Sequence, residues 1–546
     1  MTMIMQFFYR RRPPIQPLHL TRRLLLTSGG EVRVRFAPSP TGKLHLGGLR
    51  TALYNYLFAK KHNGLFLLRI EDTDQERLKR DSVDNIVESL RWTGIEADYG
   101  PHRKREDDAE QGAPWLQSQR LHLYAKYAEQ LLAQGKAYKC FCDETRLNLL
   151  RRNAQRNQEK LKYDGKCRHL TPDAVRKYVS EGRKYVIRFK LPDRDVTYED
   201  MIGGKHTSNP GAQEGDFILV KSDHYPTYHF ANVVDDHLMR ISHVMRGQEW
   251  QLSTAKHILL YEAFGWRAPA YGHLPLIFNA DGTKISKRQN DIDVLAFRER
   301  TFMPETLLAY LCSIGGGLKR NALDDSSFLT EFKSVRQELL AEFDESLINS
   351  KPCKLDSNLL AHLNRRMLKL ALGDTDAKAA LVAQLRELLM RRNKPINEMY
   401  LRDDYLAPIL EWSHDRVVKL DDLIVNDEFK FLWQDISDGN QDMLGDKLKV
   451  VELIDLMHAH FSANNSDIED LNDLEKIKKD LSALFKKLTK SSNNNEEKKG
   501  PNNWQLVRFI FTGNIQGPPV AEIIKLLGKR TVVYRLNLAR NYFLLK

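Results

Sequence analysis

Residues 32–70 constrain the fold of this chain more than any other stretch. Val32, Val34 and Phe36 alternate with Arg33 and Arg35, the period-two pattern of a strand. Pro38-Ser39-Pro40-Thr41-Gly42 ends it. Leu49, Leu53, Tyr56 and Leu57 then recur at helical spacing, and Leu65-Phe66-Leu67-Leu68-Arg69-Ile70 supplies a second, nearly continuous apolar strand of the kind found in sheets covered on both faces. Strand, glycine-bearing loop, helix, strand is the start of a doubly wound α/β fold, because parallel strands need a crossover and a helix provides it. The alternation returns at Phe217-Ile218-Leu219-Val220 and Ile241-Ser242-His243-Val244-Met245, with a helix between them and another over 251–264, which predicts a second half of the same sheet. Residues from about 110 to 205 read as a basic helical insertion followed by short strands such as Tyr185-Val186-Ile187-Arg188-Phe189.

Beyond about residue 320 the pattern changes to long Leu/Lys/Arg/Glu segments with helical spacing, for example 359–389, and few β-branched runs. This part is expected to be helical. Residues 462–465 and 491–503 are polar and apolar-poor, and read as loops or linkers. An apolar face resumes at Trp504, and Leu526-Leu527-Gly528 reads as a helix end.

Composition excludes two classes. No apolar run approaches the roughly 18 residues of a membrane-spanning helix. Five cysteines in 546 residues, odd in number and unevenly spread, make no disulfide framework and suit a reducing compartment. The 84 Lys and Arg exceed the 72 Asp and Glu, giving a net charge of +12 that favours polyanions. Residues 1–30 hold Arg10, Arg11, Arg12, Arg22 and Arg23 and no acid, the composition of a mitochondrial transit peptide. Prolines 13, 14 and 17 interrupt a helix there, and a disordered basic arm has the same composition.

Two distant loops carry the chemistry. In Arg35-Phe36-Ala37-Pro38-Ser39-Pro40-Thr41-Gly42-Lys43-Leu44-His45-Leu46-Gly47-Gly48, the glycines open a helix whose N–H groups and dipole attract phosphate, and His45 can donate to a phosphate oxygen. Far downstream, Asp281-Gly282-Thr283-Lys284-Ile285-Ser286-Lys287-Arg288 offers three cations and two hydroxyls; alone, it is equally an exposed basic turn. As a pair, the loops resemble the HIGH and KMSKS signatures of class I aminoacyl-tRNA synthetases. Further likeness in Leu68-Arg69-Ile70-Glu71-Asp72-Thr73-Asp74, Lys221 to His229, Asn232 to His237 and Arg246 to Trp250 is specific to glutamyl-tRNA synthetases of bacterial and organellar type. Gly48 stands where that family has a second histidine or a threonine, so only the backbone contribution is kept there.

The resemblance implies a Rossmann-type catalytic domain over 31–320 with an acceptor-binding insertion at about 110–205, an α-helical linker and anticodon-binding region over 321–546, and a transit peptide over 1–30. It implies ATP-dependent attachment of L-glutamate to tRNA(Glu), with tRNA(Gln) as a further candidate, by a monomer in the mitochondrial matrix. His45 and Lys287 would act on the phosphates; His45, Gly47, Gly48, Glu249, Trp250, Lys284, Ser286 and Lys287 would bind ATP, with Mg2+ bridging its phosphates. Arg35, Phe36, Ala37, Ser39, Glu71, Tyr228, Asn232 and Arg246 would bind glutamate: arginines at strand ends offer forked donors to a carboxylate, and Glu71 suits the ammonium.

Cys140 and Cys142 flank Phe141, and Cys167 and His169 flank Arg168. Three thiolates and an imidazole make a closed tetrahedral Zn2+ site, and some bacterial members carry a similarly spaced one; reduced free cysteines fit the same sequence. Lys136, Lys139, Arg151, Arg152 and Arg156 could meet acceptor-arm phosphates. Three rivals differ in visible ways. Glutaminyl-tRNA synthetases build the anticodon region from β-barrels, a truncated paralogue lacks the C-terminal half, and a catalytically silent tRNA-binding protein would lose Lys287, Arg35 or Arg246.

Overall fold

The computed structural model describes residues 31–79, 81–160, 162–283, 293–320, 327–392, 396–434, 447–463, 473–491 and 501–545. Residues 1–30, with the transit-peptide reading, lie outside them. Two compact units interleave: one takes residues up to 295, 311–321 and 339–355, the other 296–310, 322–338 and 356 onward.

In the first unit the predicted βαβ start is present. β1 (Arg33–Phe36) pairs in parallel with β2 (Leu65–Leu68), Arg33 opposite Leu65 and Phe36 opposite Leu68, and α1 (Leu46–Lys61) makes the crossover. All four β1 residues are buried, arginines included. The alternation therefore separates two buried layers: Val34 and Phe36 join the apolar core, and Arg33 and Arg35 enter a polar one. Beyond β2, Leu68 N donates to Tyr99 O at 2.9 Å, which adds an outer segment to the sheet.

The insertion contributes α2 (Leu121–Ala133), β3 (Ala137–Cys140) and β4 (Val186–Phe189), but the hairpin of β5 (Val196–Asp200) with β6 (Gly204–Ser208), expected within it, joins the parallel sheet instead, Asp200 pairing with Tyr271. Next comes β7 (Ile218–Val220), and here the sequence expectation is corrected. It joins the antiparallel sheet β3-β4-β7 and not the second half of the parallel sheet. Leu219 and Val220 pack with Ile187 and Phe189. A short apolar run would be buried equally well in either sheet, so its pattern does not name its partner.

α3 (Tyr228–Leu238), β8 (His243–Gly247), α4 (Thr254–Phe264) and β9 (Ala270–Leu274) complete the parallel sheet. Ser242 N donates to Arg33 O at 2.9 Å, which puts β8 on the far side of β1 from β2. The chain thus winds outward in opposite directions from β1, and ligands of such sheets sit at the strands' carboxyl ends where the order reverses.

The expectation of a helical chain beyond 320 is also corrected near that boundary. β10 (Ile277–Phe278) pairs with β13 (Cys353–Lys354), and β11 (Gly316–Leu318) pairs with β12 (Phe343–Ile348). Phe343 is buried with its ring 5.9 Å from that of Tyr54 on α1, whose hydroxyl donates to Gly316 O at 2.6 Å. These contacts outweigh the helical composition around them.

In the second unit, every regular element described from residue 357 onward is helical: α5 (Ser357–Leu372), α6 (Thr375–Met390), α7 (Asp403–Ser413), short turns of helix, α8 (Lys447–Ala463), α9 (Leu474–Ser491), α10 (Asn503–Thr512) and α11 (Val520–Leu545). The stretch 359–389, expected to be helical, forms two helices, divided where Asp374 caps α6 by accepting from Ala377 N at 2.9 Å. Gly528, at φ 70°, interrupts α11 as the sequence suggests, and the helix then resumes.

Candidate active site

The carboxyl ends of β1, β2 and β8 gather Arg35, Glu71 and Arg246, all buried. Arg35 Nε and Nη2 donate to the two carboxylate oxygens of Asp236 on α3, at 3.1 and 3.4 Å. Arg69, fully buried, donates to Asp236 Oδ1 at 2.7 Å and to Glu71 Oε1 at 3.0 Å. Arg120 binds Asp235 Oδ1 at 2.7 Å, and Gln117 and Tyr124 both reach Asp235 Oδ2 at 2.8 Å. Asp235 and Asp236 are therefore structural anchors of the arginines.

Burial alone would raise Asp236, but Arg35 and Arg69 outweigh it and hold its carboxyl below the usual range. At Glu71 burial prevails over Arg69 and Arg35 and pushes the carboxyl up. Asn232 Nδ2 donates to Glu71 Oε1 at 3.1 Å, the same oxygen that Arg69 uses. Among the described residues Oε2 takes no hydrogen bond, and neither does Arg35 Nη1, so each side chain keeps one atom for a ligand.

Tyr228 at the start of α3 accepts from Arg246 Nη1 at 3.1 Å and stacks on Trp250, centroids 4.0 Å apart. Trp250 O accepts from Arg246 Nη2 at 3.2 Å, so this residue, expected beside adenosine, also borders the arginine side of the cleft. Glu249 is exposed. Phe36 is a core side chain beneath Gly48, Ala37 is half-buried and Ser39 is exposed.

The loop ahead of α1 is folded back on its helix. His45 is the N-cap of α1, and its Nδ1 accepts from Gly48 N at 3.2 Å, so the Gly48 N–H is engaged within the chain. A Cβ at Gly48 would sit 2.7 Å from Leu44 and one at Gly47 would sit 3.1 Å from the His45 ring. A side chain at either position would thus require Leu44 or the His45 ring to shift. Lys284, Ser286 and Lys287 lie outside the described residues. Just downstream, Asp293 forms a backbone bridge with His45 and an ion pair with Lys43 at 3.0 Å, and Val294 N donates to Leu44 O at 2.9 Å. Asp293 and Val294 thus lie against the first loop.

In the insertion the sulfurs of Cys140, Cys142 and Cys167 all lie within 4.8 Å of one another. Cys142 and Cys167 are 3.7 Å apart, close to the roughly 3.8 Å edge that a tetrahedron with 2.3 Å Zn–S bonds requires. His169, the expected fourth ligand, is exposed and does not join them: the turn that buries Cys167 carries the chain outward two residues later. The Tyr163 hydroxyl takes that place, 3.2 Å from Cys140 Sγ and 3.5 Å from Cys142 Sγ. On the helix Glu144–Arg156, Arg151, Arg152 and Arg156 are exposed.

The second unit holds a cavity of about 1240 Å³ bordered by Arg402, Trp412, Arg416, His460, Lys525 and Arg530. Arg416 lies 4.3 Å over the Trp412 ring, and both donate to Glu522 at 3.1 Å.

Sequence reasoning overlooked Arg69, Arg120, His257 and His273. Arg69 had a signal, as the one charge inside an otherwise apolar strand. The histidines had none, since each sits in an apolar run that suits a core position equally well.

A family model of the catalytic domain of class I tRNA synthetases (E and Q) matches residues 31–349, and one of an anticodon-binding domain matches 380–540. The doubly wound sheet, the loop ahead of α1 and the helical C-terminal region are those of a class I synthetase. The glutamate–tRNA ligases of Finegoldia magna and Alkaliphilus metalliredigens are each 37% identical to this chain, over 94% of it and 99% of their own length. Among solved structures, a glutamate–tRNA ligase of Elizabethkingia meningosepticum in complex with its amino acid aligns with a TM-score of 0.75 at 31% identity, covering 94% of this chain and 99% of that one. The chain belongs to the glutamate–tRNA ligase family.

Proposed function

We propose that this protein attaches L-glutamate to tRNA(Glu) through a glutamyl-adenylate, as a monomer in the mitochondrial matrix. The observation that carries the amino-acid assignment is the charge of the cleft. Arg35 and Arg69 are met by Asp236 and Glu71 and Arg120 by Asp235, whereas buried Arg246 has no acid within ion-pair distance among the described residues, Asp200 being engaged by His273. A buried guanidinium without a counter-charge of its own suits a side-chain carboxylate and not a neutral amide. Glu71 Oε2 is placed to receive the ammonium, with Asn232 and Arg69 orienting the carboxylate from behind. The Tyr228 hydroxyl proton and Arg35 Nη1 are the donors left for the side-chain carboxylate, and the charge of Arg246 lies behind them.

A carboxylate is already nucleophilic, so activation needs no general base. The reactants have to be aligned and the charge on the α-phosphoryl group stabilised while pyrophosphate leaves. With Nδ1 engaged by Gly48, His45 can serve a phosphate only through Nε2, while Lys287, and with it Lys284 and Ser286, would follow the departing charge. Mg2+ would supply neutralising charge to the ATP phosphates and would ask few ligands of this chain. The terminal ribose hydroxyl of tRNA then attacks the adenylate. Zn2+ on Cys140, Cys142 and Cys167, with Tyr163 beside them, would be a structural ion of the insertion. The acid-free, Arg-rich residues 1–30, upstream of the family match, support the matrix assignment.

Pyrophosphate exchange with purified protein tests the reading. Exchange is expected with glutamate and not glutamine, and only when tRNA is present; no exchange under any condition would favour a silent tRNA-binding protein. Charging assays with tRNA(Glu) and tRNA(Gln) determine the breadth, and import of a 1–30 reporter fusion into isolated mitochondria checks the location.

A further inference from the structure

Arg246 differs from the other arginines of the cleft in what surrounds it. Arg35, Arg69 and Arg120 each rest on a carboxylate at 2.7–3.1 Å. Arg246 is 4% exposed, yet among the described residues no acid lies within ion-pair distance of it. Its five N–H donors go to neutral acceptors: Nε to His273 Nε2 (3.1 Å), Nη1 to Tyr228 Oη (3.1 Å) and His257 Nδ1 (3.3 Å), Nη2 to Trp250 O (3.2 Å) and Thr254 Oγ1 (2.9 Å).

A guanidinium only donates, and this fixes the protons on both imidazoles. His257 presents a bare Nδ1 to Arg246 and carries its hydrogen on Nε2, which points at His229 Nδ1, 3.1 Å away. His273 presents a bare Nε2 and directs Nδ1–H to Asp200. Burial pushes both rings below the ordinary histidine range, which keeps them neutral and able to accept. The Tyr228 hydroxyl, which accepts from Arg246, keeps its own proton for a ligand oxygen.

We infer that His257 and His273 are positioning residues that decide acid against amide: they grip the Arg246 fork with uncharged acceptors, so that its full charge remains for the side-chain carboxylate of the substrate. A carboxylate at either place would hold the arginine as firmly but neutralise it, and the preference for glutamate over glutamine would fall. The inference rests on the reading of this cleft as the glutamate site.

Steady-state pyrophosphate exchange by the full-length protein with tRNA tests it, with glutamate, glutamine and ATP each varied. His257→Leu is expected to raise the glutamate KM at least tenfold and leave the ATP KM within twofold. His257→Asn, whose amide oxygen stands where Nδ1 was, is expected to recover to within threefold of the parent. His257→Asp is expected to lower the glutamate-to-glutamine ratio of kcat/KM at least tenfold; if it does not fold, as judged by circular dichroism, Thr254→Asp, which sets a carboxylate against Nη2 of the same fork, carries the same expectation. Unchanged selectivity in the aspartate variant, or equal rises in the glutamate and ATP KM for His257→Leu, overturns the inference. Arg246→Leu separates the two levels. If it leaves the glutamate KM unchanged, the site reading itself fails; if it raises the KM and the histidine variants do not, only the positioning role fails.

Discussion

The cleft concentrates residues that titrate abnormally, and His229 shows what this does to stability. It ends the string Arg246–His257–His229 and, chiefly through burial and then through the charges of Lys256 and Arg246, its pKa is lowered to about 3. In the unfolded chain the same imidazole takes a proton near pH 6.5. Between those values the unfolded state binds more protons than the folded one, so stability is complete above about pH 6.5 and declines as the pH falls toward 3. Each unit in that window costs up to about 1.4 kcal/mol for this group. His229→Gln is therefore expected to be less sensitive to acid: between pH 7 and 5 its urea midpoint should drop by less than that of the parent, and parallel losses would show that His229 does not titrate in this way. Legibility at this scale followed the motif. Arg35, Glu71, Tyr228, Asn232 and Arg246 were visible because they lie in strings specific to the family, and the structure gathers them at one sheet edge. His257 and His273 were not, because a neutral histidine inside an apolar run looks like packing until its hydrogen-bond partners are known.

Among the elements, those with a local cause could be read and those defined by a partner could not. β1, α1 and β2 followed from hydrophobic period and the Pro/Gly break between them. β7 and β12 did not, since which sheet receives a short strand is decided by side chains far away in sequence, Ile187 and Phe189 for one and Tyr54 for the other. The cysteine cluster repeats the lesson. Spacing suggested His169 as the fourth ligand, but β3 and the turn around Cys167 set the sulfurs beside Tyr163 and leave His169 in solvent. Metal analysis of the purified protein is expected to find about one zinc per chain, retained by His169→Ala and lost in Cys142→Ser and Cys167→Ser. Tyr163→Phe should bind the ion more weakly in a chelator competition. A metal-free parent, or loss on replacing His169, would remove the ion or restore the spacing-based ligand set.

At the level of the whole molecule, the first unit carries the arginine cleft and the loop ahead of α1, and the second carries the anticodon-binding match and a cavity of about 1240 Å³. Removing the five arginines of residues 1–30 lowers the net charge from +12 to +7 (12 − 5), so tRNA affinity has to come mainly from local surfaces and not from the overall field. Trp412 and Arg416 are the candidate for such a surface. The guanidinium lies over the indole, and Glu522 fixes both side chains and balances the arginine's charge, which leaves a flat guanidinium plane of the kind on which an unpaired base stacks. Arg416→Glu would set a second acid against Glu522, remove the cation and repel phosphate. Its KM for tRNA in aminoacylation is expected to rise five- to fifty-fold, about 1–2 kcal/mol, with kcat at saturating tRNA and the KM for glutamate and ATP unchanged. Arg416→Lys keeps the charge but loses the planar stack, and should fall between parent and glutamate variant. The contribution of salt separates the two effects: raising the ionic strength should narrow the gap between parent and Arg416→Glu, because the phosphate term is screened, and leave the stacking deficit of Arg416→Lys nearly intact. A tRNA KM that does not move in either variant would exclude this platform from the tRNA interface.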